Sequence, residues 1–528
     1  MSNHAYESAA ALRPSSNGPV PISTLSERFS LAPASAEDAA ALNDLSILGV
    51  SVDSGDTAPG ELFVGLPGFT VHGARFAAQA VASGAVAVLT DADGAQIVHE
   101  SAPGTPVLVH DDPRAVVGPL SAEAYHHPAR GLITTAVTGT NGKTTTAYFL
   151  DAILSAHVGG CMVAGTVELR VGERSVESPR TTVEAPVLQR MMALAVEDRV
   201  GAASLEASSH AIVLHRLDGL VVDVAGFTNL QRDHLDFHKT MEGYLKAKAQ
   251  LFTPEHARRG VVCVDDRWGA ALADEAPIEI DRVRAYPGET PADWWVSDAA
   301  VSLTDSATTF TLHGPDGEQI EASCPLPGLV NVQNAALALV MAIRAGVPAA
   351  TAAAALAGAH NIPGRMQRIS QRDGRRGLCI VDFAHTPDAM ELALKAVRPI
   401  TPGRLIVVFG SDGDRDQGKR PMLGEVCARL ADVLVVTDEN PRSEDPQLIR
   451  NAILEGVRGV RPDLKDVEEI TTWRGDAVRR GVELCGPDDT VIVTGKGHEP
   501  FLEMAGEFIR YNDAPVMAEA VEEKWGRA

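Results

Sequence analysis

The stretch ITTAVTGTNGKTTT, at positions 133–146, constrains the fold more than any other part of the chain. Its first six residues are small or β-branched and predict a buried strand. Gly139 and Gly142 then predict a tight turn that leads into a helix. Backbone N–H groups in such a turn, together with the positive end of the following helix, form a binding site for phosphate.

Two side chains extend this phosphate-binding loop. Lys143 can reach the β- and γ-phosphates of a nucleotide, and the Thr144 hydroxyl can ligate Mg²⁺. Val137 stands where the general P-loop pattern has its first glycine, so the match to that pattern is incomplete. The order of strand, turn and helix nevertheless favours a phosphate site over an ordinary loop.

Composition limits the class of protein. The 528 residues are 45% hydrophobic and 22% charged, which predicts about three α/β domains with ample cores. A net charge of −24 argues against nucleic-acid and membrane-surface binding, because both need a basic field. Six scattered cysteines without ligand spacing predict reduced core residues. With no apolar run of membrane length and no signal peptide, we expect a cytoplasmic monomer without membrane insertion.

The chain divides by pattern into an arm and three domains. Residues 1–21 are polar and rich in Ser, Ala and Pro, and they predict a disordered arm. Residues 22–130 predict an α/β domain, and residues 131–363 a parallel sheet that begins with the phosphate-binding loop. The alternation of strands and helices in 364–528 predicts a second doubly wound sheet.

Polar residues cluster after two predicted strands of the central domain. Glu206 ends the strand 202–206 and is a natural Mg²⁺ ligand beside phosphates. The segment 227–252, which follows the next strand, is dense in Asn, Asp, His, Arg and Lys. Lys248 lies there between two alanines, and burial would lower its pKa and leave a neutral amine.

Motifs along most of the chain resemble, in the same order, those of the Mur ligases of peptidoglycan synthesis. Among that family they are most similar to the UDP-N-acetylmuramoyl-tripeptide synthetases. The motifs are GTNGKTTT, RTTVEA, EASSHA, FTNLQRDHLDFH, AKAQLF, LPGLVNVQN, IPGRM, VDFAHTPDAM, GDRDQGKRP, DENPRSEDP and GKGHEP. This resemblance implies an N-terminal UDP-substrate-binding α/β domain, a central P-loop ATPase domain with a parallel sheet, and a C-terminal Rossmann-like domain that binds the amino acid.

The resemblance also implies an activity. A diamino acid is joined to the D-glutamyl γ-carboxylate of UDP-N-acetylmuramoyl-L-alanyl-D-glutamate, with ATP as the energy source and an acyl phosphate as intermediate. The product is a cytoplasmic precursor of peptidoglycan, which cell-wall biogenesis, cell shape and cell division require. The implied cofactors are two Mg²⁺ ions and a CO₂-derived carbamate on Lys248.

Site residues follow from the resemblance, position by position. The implied catalytic residues are Lys143, Glu206, His234, Lys248 and Asn229. Those implied for ATP are Gly139, Thr140, Asn141, Gly142, Lys143, Thr144, Thr145, Asn331, Asn334, Arg365 and Asp382. Metal ligands are implied at Thr144, Glu206, His234 and carbamylated Lys248. The UDP-muramoyl dipeptide would contact Ser54, Thr181, Thr182, Ser208 and Arg216, and the incoming amino acid Arg415, Asn440, Pro441, Arg442, Gly495 and Glu499.

Departures from the family pattern bear on the substrates. Gly55 stands where an arginine is expected, and His72 where an aspartate is expected. Arg442 could bind the distal carboxylate of meso-diaminopimelate through two parallel hydrogen bonds, and L-lysine has no such carboxylate. Glu439 replaces an aspartate and lengthens one wall of this pocket, so L-lysine remains an alternative substrate.

Two other functions are compatible with a phosphate-binding loop. A ligase similar to folylpolyglutamate synthase would share the loop, but the RTTVEA, EASSHA and DENPR segments fit it poorly. A P-loop switch would hydrolyse nucleotide without an amine acceptor, and it would not need a third domain rich in substrate-type loops.

Overall fold

A computed structural model describes residues 9–68, 70–302, 307–359 and 362–526. The chain forms two compact units. One consists of the described residues up to Trp294 together with Leu337–Ala355. The other consists of the described residues of Trp295–Ala336 and Leu356–Ala528. The α/β class is confirmed, whereas the three domain boundaries drawn from the sequence stay a prediction.

The N-terminal part of the first unit is built on a five-stranded sheet of order β2-β7-β6-β5-β4, in which β4 to β7 are parallel. Apolar side chains cover both faces, as parallel sheets require. The element bounds are β1 Val20–Pro21, α1 Ile22–Phe29, β2 Ala32–Pro33, α2 Ala36–Leu42, β3 Ser46–Ile47, β4 Gly49–Ser51, β5 Glu61–Val64, α3 Ala77–Ala82, β6 Ala87–Thr90, α4 Ala92–Ser101, β7 Val107–Val109 and α5 Pro113–Ala124.

The predicted disordered arm is wrong for residues 9–21. Leu12 is 0% exposed in the apolar core of the first unit. Val20 pairs with Ile47, which makes β1 and β3 a short antiparallel ladder. The composition of this segment predicted disorder because its partners are distant in sequence and invisible to local pattern. Residues 1–8 of the predicted arm lie outside the described residues.

The central sheet of the same unit has the order β11-β10-β9-β12-β8-β13-β14-β15. Strands β9, β12, β8, β13, β14 and β15 are parallel, and the hairpin β10–β11 is antiparallel at one edge. The bounds are β8 Ile133–Thr138, α6 Lys143–Val158, β9 Cys161–Ala164, β10 Glu168–Val171, β11 Arg174–Glu177, α7 Ala185–Glu197, β12 Ala202–Glu206, α8 Ser209–Val213, β13 Val222–Phe227, α9 Leu235–His238, α10 Met241–Ala249, β14 Ala257–Cys263, α11 Arg267–Glu275 and β15 Glu279–Arg284.

Strand order brings the predicted polar residues together. Strand β8 lies between β12 and β13; the chain leaves β8 toward β9 on one side, and it reaches the other side only with the connection from β12 to β13. Ligands bind at such a switch point, beyond the carboxyl ends of the strands. The phosphate-binding loop, Glu206 and the segment after Phe227 all lie at these ends. The predicted strand 202–206 is confirmed as β12, and the strand predicted next along the chain is β13.

The second unit contains an antiparallel hairpin and a second doubly wound sheet, of order β19-β20-β24-β21-β22-β23. Only β19 runs antiparallel to its neighbour among the paired strands of this sheet that the structure describes. The remaining bounds in chain order are β16 Trp294–Val301, β17 Thr308–His313, β18 Gln319–Cys324, α12 Leu329–Arg344, α13 Ala349–Ala357, β19 Gln367–Ser370, β20 Leu378–Val381, α14 Pro387–Val397, β21 Leu405–Phe409, α15 Lys419–Leu430, β22 Val433–Val436, α16 Pro446–Val460, β23 Val467–Glu469, α17 Arg474–Leu484, β24 Thr490–Val493, β25 Phe501–Met504, β26 Glu507–Arg510 and α18 Asp513–Trp525.

A buried ion pair ties the carboxyl ends of this sheet to the last helix. Arg474 donates to both carboxylate oxygens of Asp513, over 2.9 and 2.8 Å, and both side chains are 0% exposed. The same guanidinium donates to the carbonyl oxygens of Asp438 and Thr494, over 2.9 and 2.8 Å. Strands β22 and β24 therefore share one buried cation just beyond their ends.

We expect Arg474→Met to lower the free energy of unfolding by about 3–5 kcal/mol, because it leaves the Asp513 carboxylate buried and unpaired. Arg479→Ala is the matched control on α17, since its partners Glu519 and Glu523 are exposed and such pairs contribute about 0–1 kcal/mol. Urea denaturation measures both. Equal effects of the two variants would contradict a central role for the Arg474 pair.

Candidate active site

The phosphate-binding loop turns tightly between β8 and α6. Gly139 has φ 144° and Gly142 has φ 90°, conformations that side chains disfavour. A Cβ atom at Gly139 would lie 1.9 Å from Oγ1 of Thr228, so only glycine allows this close approach. Helix α6 begins at Lys143 and directs its positive end at the loop.

Asn229 fixes the backbone of this loop. Its carbonyl oxygen accepts from the Thr140 N–H over 2.9 Å, and its Oδ1 accepts from the Asn141 N–H over 3.1 Å. Its Nδ2 donates to the Asn141 carbonyl oxygen over 3.1 Å. The side chain is buried, so Asn229 holds the loop in shape from the end of the neighbouring strand.

Two lysines lie against the loop. Lys143 Nζ donates to the carbonyl oxygens of Gly139 and Thr140, over 3.0 and 2.9 Å. Lys248 Nζ, from α10, donates to the same Gly139 oxygen over 2.7 Å and lies 4.5 Å from the centre of the Tyr244 ring. Burial, followed by the nearby Lys143 charge, holds the pKa of Lys248 well below its usual range. The neutral amine expected from the sequence is therefore favoured.

Glu206 is buried at the end of β12 and accepts three hydrogen bonds. The donors are Thr144 Oγ1 over 3.0 Å, the Thr166 N–H over 2.7 Å and Thr166 Oγ1 over 2.9 Å. A carboxylate beside hydroxyl oxygens suits Mg²⁺, which takes one or two carboxylates and completes its shell with substrate phosphates. The described residues contain no cluster of three or more His, Cys, Asp or Glu that would hold a metal without such help.

Three histidines gather beside Lys248. His234 begins α9 in the left-handed conformation, with φ 52°. The His210 ring centre lies 4.8 Å from that of His234 and 5.4 Å from that of His238. Burial is the main cause that lowers the pKa of each ring, to about 4 for His238. The cluster is therefore neutral near pH 7, the form in which imidazole ligates metals.

The residues expected to contact the dipeptide substrate surround Glu206. Thr182 Oγ1 donates to the Glu206 carbonyl oxygen over 2.7 Å and accepts from the Ser208 N–H over 3.0 Å. Arg216 donates to the Thr182 carbonyl oxygen over 3.2 Å. Thr181 Oγ1 accepts from Thr166 Oγ1 over 3.2 Å. The phosphate side and this substrate side therefore meet at one residue, Glu206.

One expected contact to the UDP substrate lies elsewhere. Ser54, in the loop after β4, donates to Gln79 Oε1 over 3.1 Å in the N-terminal part of the first unit. Thr145, which was expected at ATP, is buried as the third residue of α6, directly after Thr144.

The second unit holds the remaining residues expected at the nucleotide. Asp382 follows β20 and accepts from the Met366 and Ala384 N–H groups over 2.8 and 2.9 Å, while burial raises its pKa. The Arg365 guanidinium lies 4.4 Å from the centre of the Phe383 ring. Asn331 and Asn334 are buried near the start of α12, and Oδ1 of Asn334 lacks a hydrogen-bond partner among the described residues.

A polar cluster follows β22 and β24 in the same unit. Lys496, which is 0% exposed, donates to Asn440 Oδ1 over 2.8 Å and to Glu499 Oε2 over 3.0 Å. Asn440 Nδ2 also donates to that Glu499 oxygen, over 3.0 Å. The cluster places Asn440 and Glu499 side by side, while their role in binding the amino acid stays a prediction.

Arg442 lies next to this cluster, with φ 56°. Its Nε is 3.2 Å from Glu503 Oε2, and its Nη2 is 3.8 Å from Asp412 Oδ1. Arg415 is exposed in the loop after β21, and Pro441 connects Asn440 to Arg442.

Glu439 packs against Gly495. A Cβ atom at Gly495 would lie 2.6 Å from Glu439 Oε2, an atom that has no hydrogen-bond partner among the described residues. Burial and the charge of Asp412 raise the pKa of Glu439 to about 8. The longer side chain is therefore accommodated in the buried wall beside Gly495, where the sequence predicted an altered pocket.

Three residues of these sites escaped sequence reasoning. Thr166 reaches Glu206 only because β9 lies beside β12, an order that local pattern does not reveal. Lys496 stands inside the GKGHEP motif, but its burial was not foreseen. Arg474 lies on α17, and the sequence of that helix does not indicate that this charged side chain is buried.

Three family models match most of the chain. They are the Mur ligase family catalytic domain over residues 46–125, the Mur ligase middle domain over residues 137–342 and the Mur ligase glutamate ligase domain over residues 364–497. The chain belongs to the Mur ligase family.

Individual Mur ligases agree with this assignment. A Streptomyces avermitilis protein named UDP-N-acetylmuramoyl-L-alanyl-D-glutamate--2,6-diaminopimelate ligase is 44% identical over 483 residues, 92% of this chain and 94% of that protein. A Leifsonia xyli UDP-N-acetylmuramyl-tripeptide synthetase is 42% identical, over 89% of this chain and 91% of that protein. A solved structure of a 2,6-diaminopimelate ligase is 31% identical with a TM-score of 0.64, covering 90% of this chain and 95% of that one.

The described helices of this Mur ligase include none that is long and apolar enough to cross a membrane. All six cysteines are buried and unpaired, so the prediction of reduced core residues is confirmed.

Proposed function

We propose that this chain joins 2,6-diaminopimelate to the D-glutamyl γ-carboxylate of UDP-N-acetylmuramoyl-L-alanyl-D-glutamate at the expense of ATP. The observation that carries the proposal is the position of Glu206. Its side chain accepts from Thr144 of the phosphate-binding loop, and its backbone accepts from Thr182 on the substrate side. Glu206 thus contacts both the place for the γ-phosphate, through its carboxylate, and the place for the carboxylate that accepts the phosphoryl group, through its backbone.

The chemistry starts from two anions that repel each other. The substrate γ-carboxylate attacks the γ-phosphorus of ATP, which breaks the bond to ADP and forms an acyl phosphate. The free amine of the diamino acid then attacks the acyl carbon, the bond from that carbon to the phosphate oxygen breaks, and the amine loses one proton as the amide forms and phosphate leaves. Lys143 and the N–H groups of the phosphate-binding loop supply the positive field that brings the two anions together.

Mg²⁺ fits the donors beside this loop. We propose that Thr144 and Glu206 hold one ion, and that His234 and carbamylated Lys248 hold a second. When bound, Mg²⁺ neutralises charge on the transferring phosphoryl group. The neutral histidine cluster and the buried Lys248 amine support the second site.

The carbamate follows from the environment of Lys248. A neutral amine adds to CO₂ and releases one proton, and the resulting carbamate is an anion. Lys143 is close enough to lower the pKa of Lys248, so the same positive charge would stabilise a negative group there. The buried amine would thereby become a group with anionic oxygen ligands.

In the second unit, we propose that Asn331, Asn334, Arg365 and Asp382 bind the base and ribose of ATP. The buried Oδ1 of Asn334, without a partner among the described residues, supports this role. The amino-acid role of Arg442, Asn440 and Glu499 rests on their clustering and on the names of the relatives. Because ATP and UDP-linked precursors are cytoplasmic metabolites, we place the reaction in the cytoplasm; the monomeric state stays a prediction.

The two alternatives have less support. The chain covers 94% of a relative named as a diaminopimelate ligase at 44% identity. A solved folylpolyglutamate synthase of Mycobacterium tuberculosis is 19% identical, which shows a shared fold alone. A nucleotide switch needs no amine acceptor, so it would not need the polar cluster around Asn440.

The amino-acid substrate is tested by ADP release and product mass with UDP-N-acetylmuramoyl-L-alanyl-D-glutamate. We expect a preference for meso-diaminopimelate over L-lysine of at least about 100-fold, because only the former offers Arg442 a second carboxylate. Arg442→Ala should abolish this preference. The exposed Arg458 on α16 provides the control Arg458→Ala, which should keep it.

A wild-type preference for L-lysine would contradict the role of Arg442 while leaving the ligase intact. No tripeptide product with either amino acid would contradict the proposed function itself.

Lys248→Ala should reduce kcat on the order of 100-fold or more, since a metal ion contributes several kcal/mol to such reactions. The exposed neighbour Lys246 provides the control Lys246→Ala, which should stay within about twofold of wild type. ¹³C NMR after incubation with labelled bicarbonate should detect a carbamate in the wild type and none in Lys248→Ala. An active enzyme without that signal would rule out the carbamate.

A further inference from the structure

The segment before β1 joins two parts of the first unit. Leu12 is buried in the core that α7 helps to form. The Ser15 N–H donates to Glu197 at the end of α7 over 2.8 Å. Asn17 Nδ2 donates to the carbonyl oxygens of Leu48 and Ala124, over 2.7 and 2.8 Å. The segment is thus anchored on the central sheet's helix and on the N-terminal sheet at once.

Arg13 is the charged centre of this segment. Its guanidinium donates to the Glu61 carboxylate and to the Asp56 carbonyl oxygen, and lies 3.3 Å from Asp56 Oδ1. The Glu61 side chain is only 4% exposed, and its other oxygen accepts from the Ala58 N–H over 2.9 Å, so Arg13 and the loop backbone share one buried carboxylate. A planar guanidinium can serve three acceptors at once, whereas an ammonium cannot hold the same fork.

A second arginine holds the other oxygen of Asp56. Arg190, which is 1% exposed on α7, donates to Asp56 Oδ2 over 2.9 Å and to the Ala9 carbonyl oxygen over 2.7 Å. Asp56 therefore contacts Arg13, which lies 43 positions before it, and Arg190, which lies 134 positions after it. These contacts tie the loop to two segments that are distant from it in sequence.

The loop that Asp56 belongs to carries Ser54. Within it, the Gly55 N–H and Thr57 Oγ1 donate to Asp53, over 2.8 and 2.9 Å. Gly55 is the position at which the family pattern has arginine, and its site is exposed. The loop therefore lacks a guanidinium of its own and receives one from Arg13.

We propose that Arg13 is a positioning residue for the UDP-linked substrate, which acts through Asp56 and Glu61 to hold the loop 53–57 and its Ser54 in the binding conformation. This inference rests on the proposed function, because it assigns the UDP end of that substrate to this loop. The binding of ATP and of the amino acid does not depend on this loop. A change at Arg13 should therefore alter only the affinity for the UDP substrate.

The test uses near-isosteric variants of the two partners. Arg13→Lys keeps a cation beside Glu61 but loses the fork, and Asp56→Asn keeps the shape of the acceptor but loses its charge. Ser15→Ala is the matched control, because it removes the hydroxyl contact of the same segment to Glu197 without touching the loop. The readouts are the Kd of UDP-N-acetylmuramoyl-L-alanyl-D-glutamate by calorimetry, KM for each substrate, kcat and Tm.

We expect Arg13→Lys and Asp56→Asn each to weaken UDP-substrate binding about tenfold, with kcat and KM for ATP unchanged. The double variant should weaken binding by less than the sum of the two single effects, because both variants weaken the shared contact between Arg13 and Asp56. Ser15→Ala should bind like wild type.

Wild-type affinity in Arg13→Lys, or a loss confined to kcat and Tm, would overturn the role of Arg13 and leave the ligase function standing. Failure of the wild-type chain to bind the UDP substrate would contradict both the proposed function and this role.

Discussion

The buried carboxylate of Glu206 is the constraint on which the site of the first unit depends. A charge without water must be compensated, and three donors from Thr144 and Thr166 do so. Those donors belong to α6 and to the residues after β9, so the carboxylate requires β8, β9 and β12 to end at the same level. The parallel register of the central sheet brings these strand ends to one level. The same register fixes the position of the phosphate-binding loop.

Sequence reasoning located the elements whose signals are local. The turn at Gly139 and Gly142 and the strand that ends at Glu206 could be identified because each depends on residues within a few positions. Thr166 could not, since its role depends on the order of strands. The hairpin β10–β11 was also missed, because its polar, half-exposed strands are weakly patterned.

For the segment before β1, the sequence predicted disorder where the structure is ordered. Its composition favours disorder, yet Leu12, Arg13 and Asn17 each find a partner far away in sequence. In the second unit, Arg474 and Lys496 are likewise buried cations whose partners come from separate strands or helices. Charged side chains predict exposure by default, so a buried and paired one is recognised only when the fold is known.

Isotope transfer tests the central claim most directly, namely that the γ-carboxylate of the UDP substrate attacks ATP. The D-glutamyl γ-carboxylate of the substrate is labelled with ¹⁸O, and the released phosphate is analysed by mass spectrometry after one round of amide formation. The account predicts one ¹⁸O atom in each phosphate, because the attacking oxygen leaves with the phosphoryl group. Unlabelled phosphate would mean that water attacks ATP, and it would contradict the acyl-phosphate route.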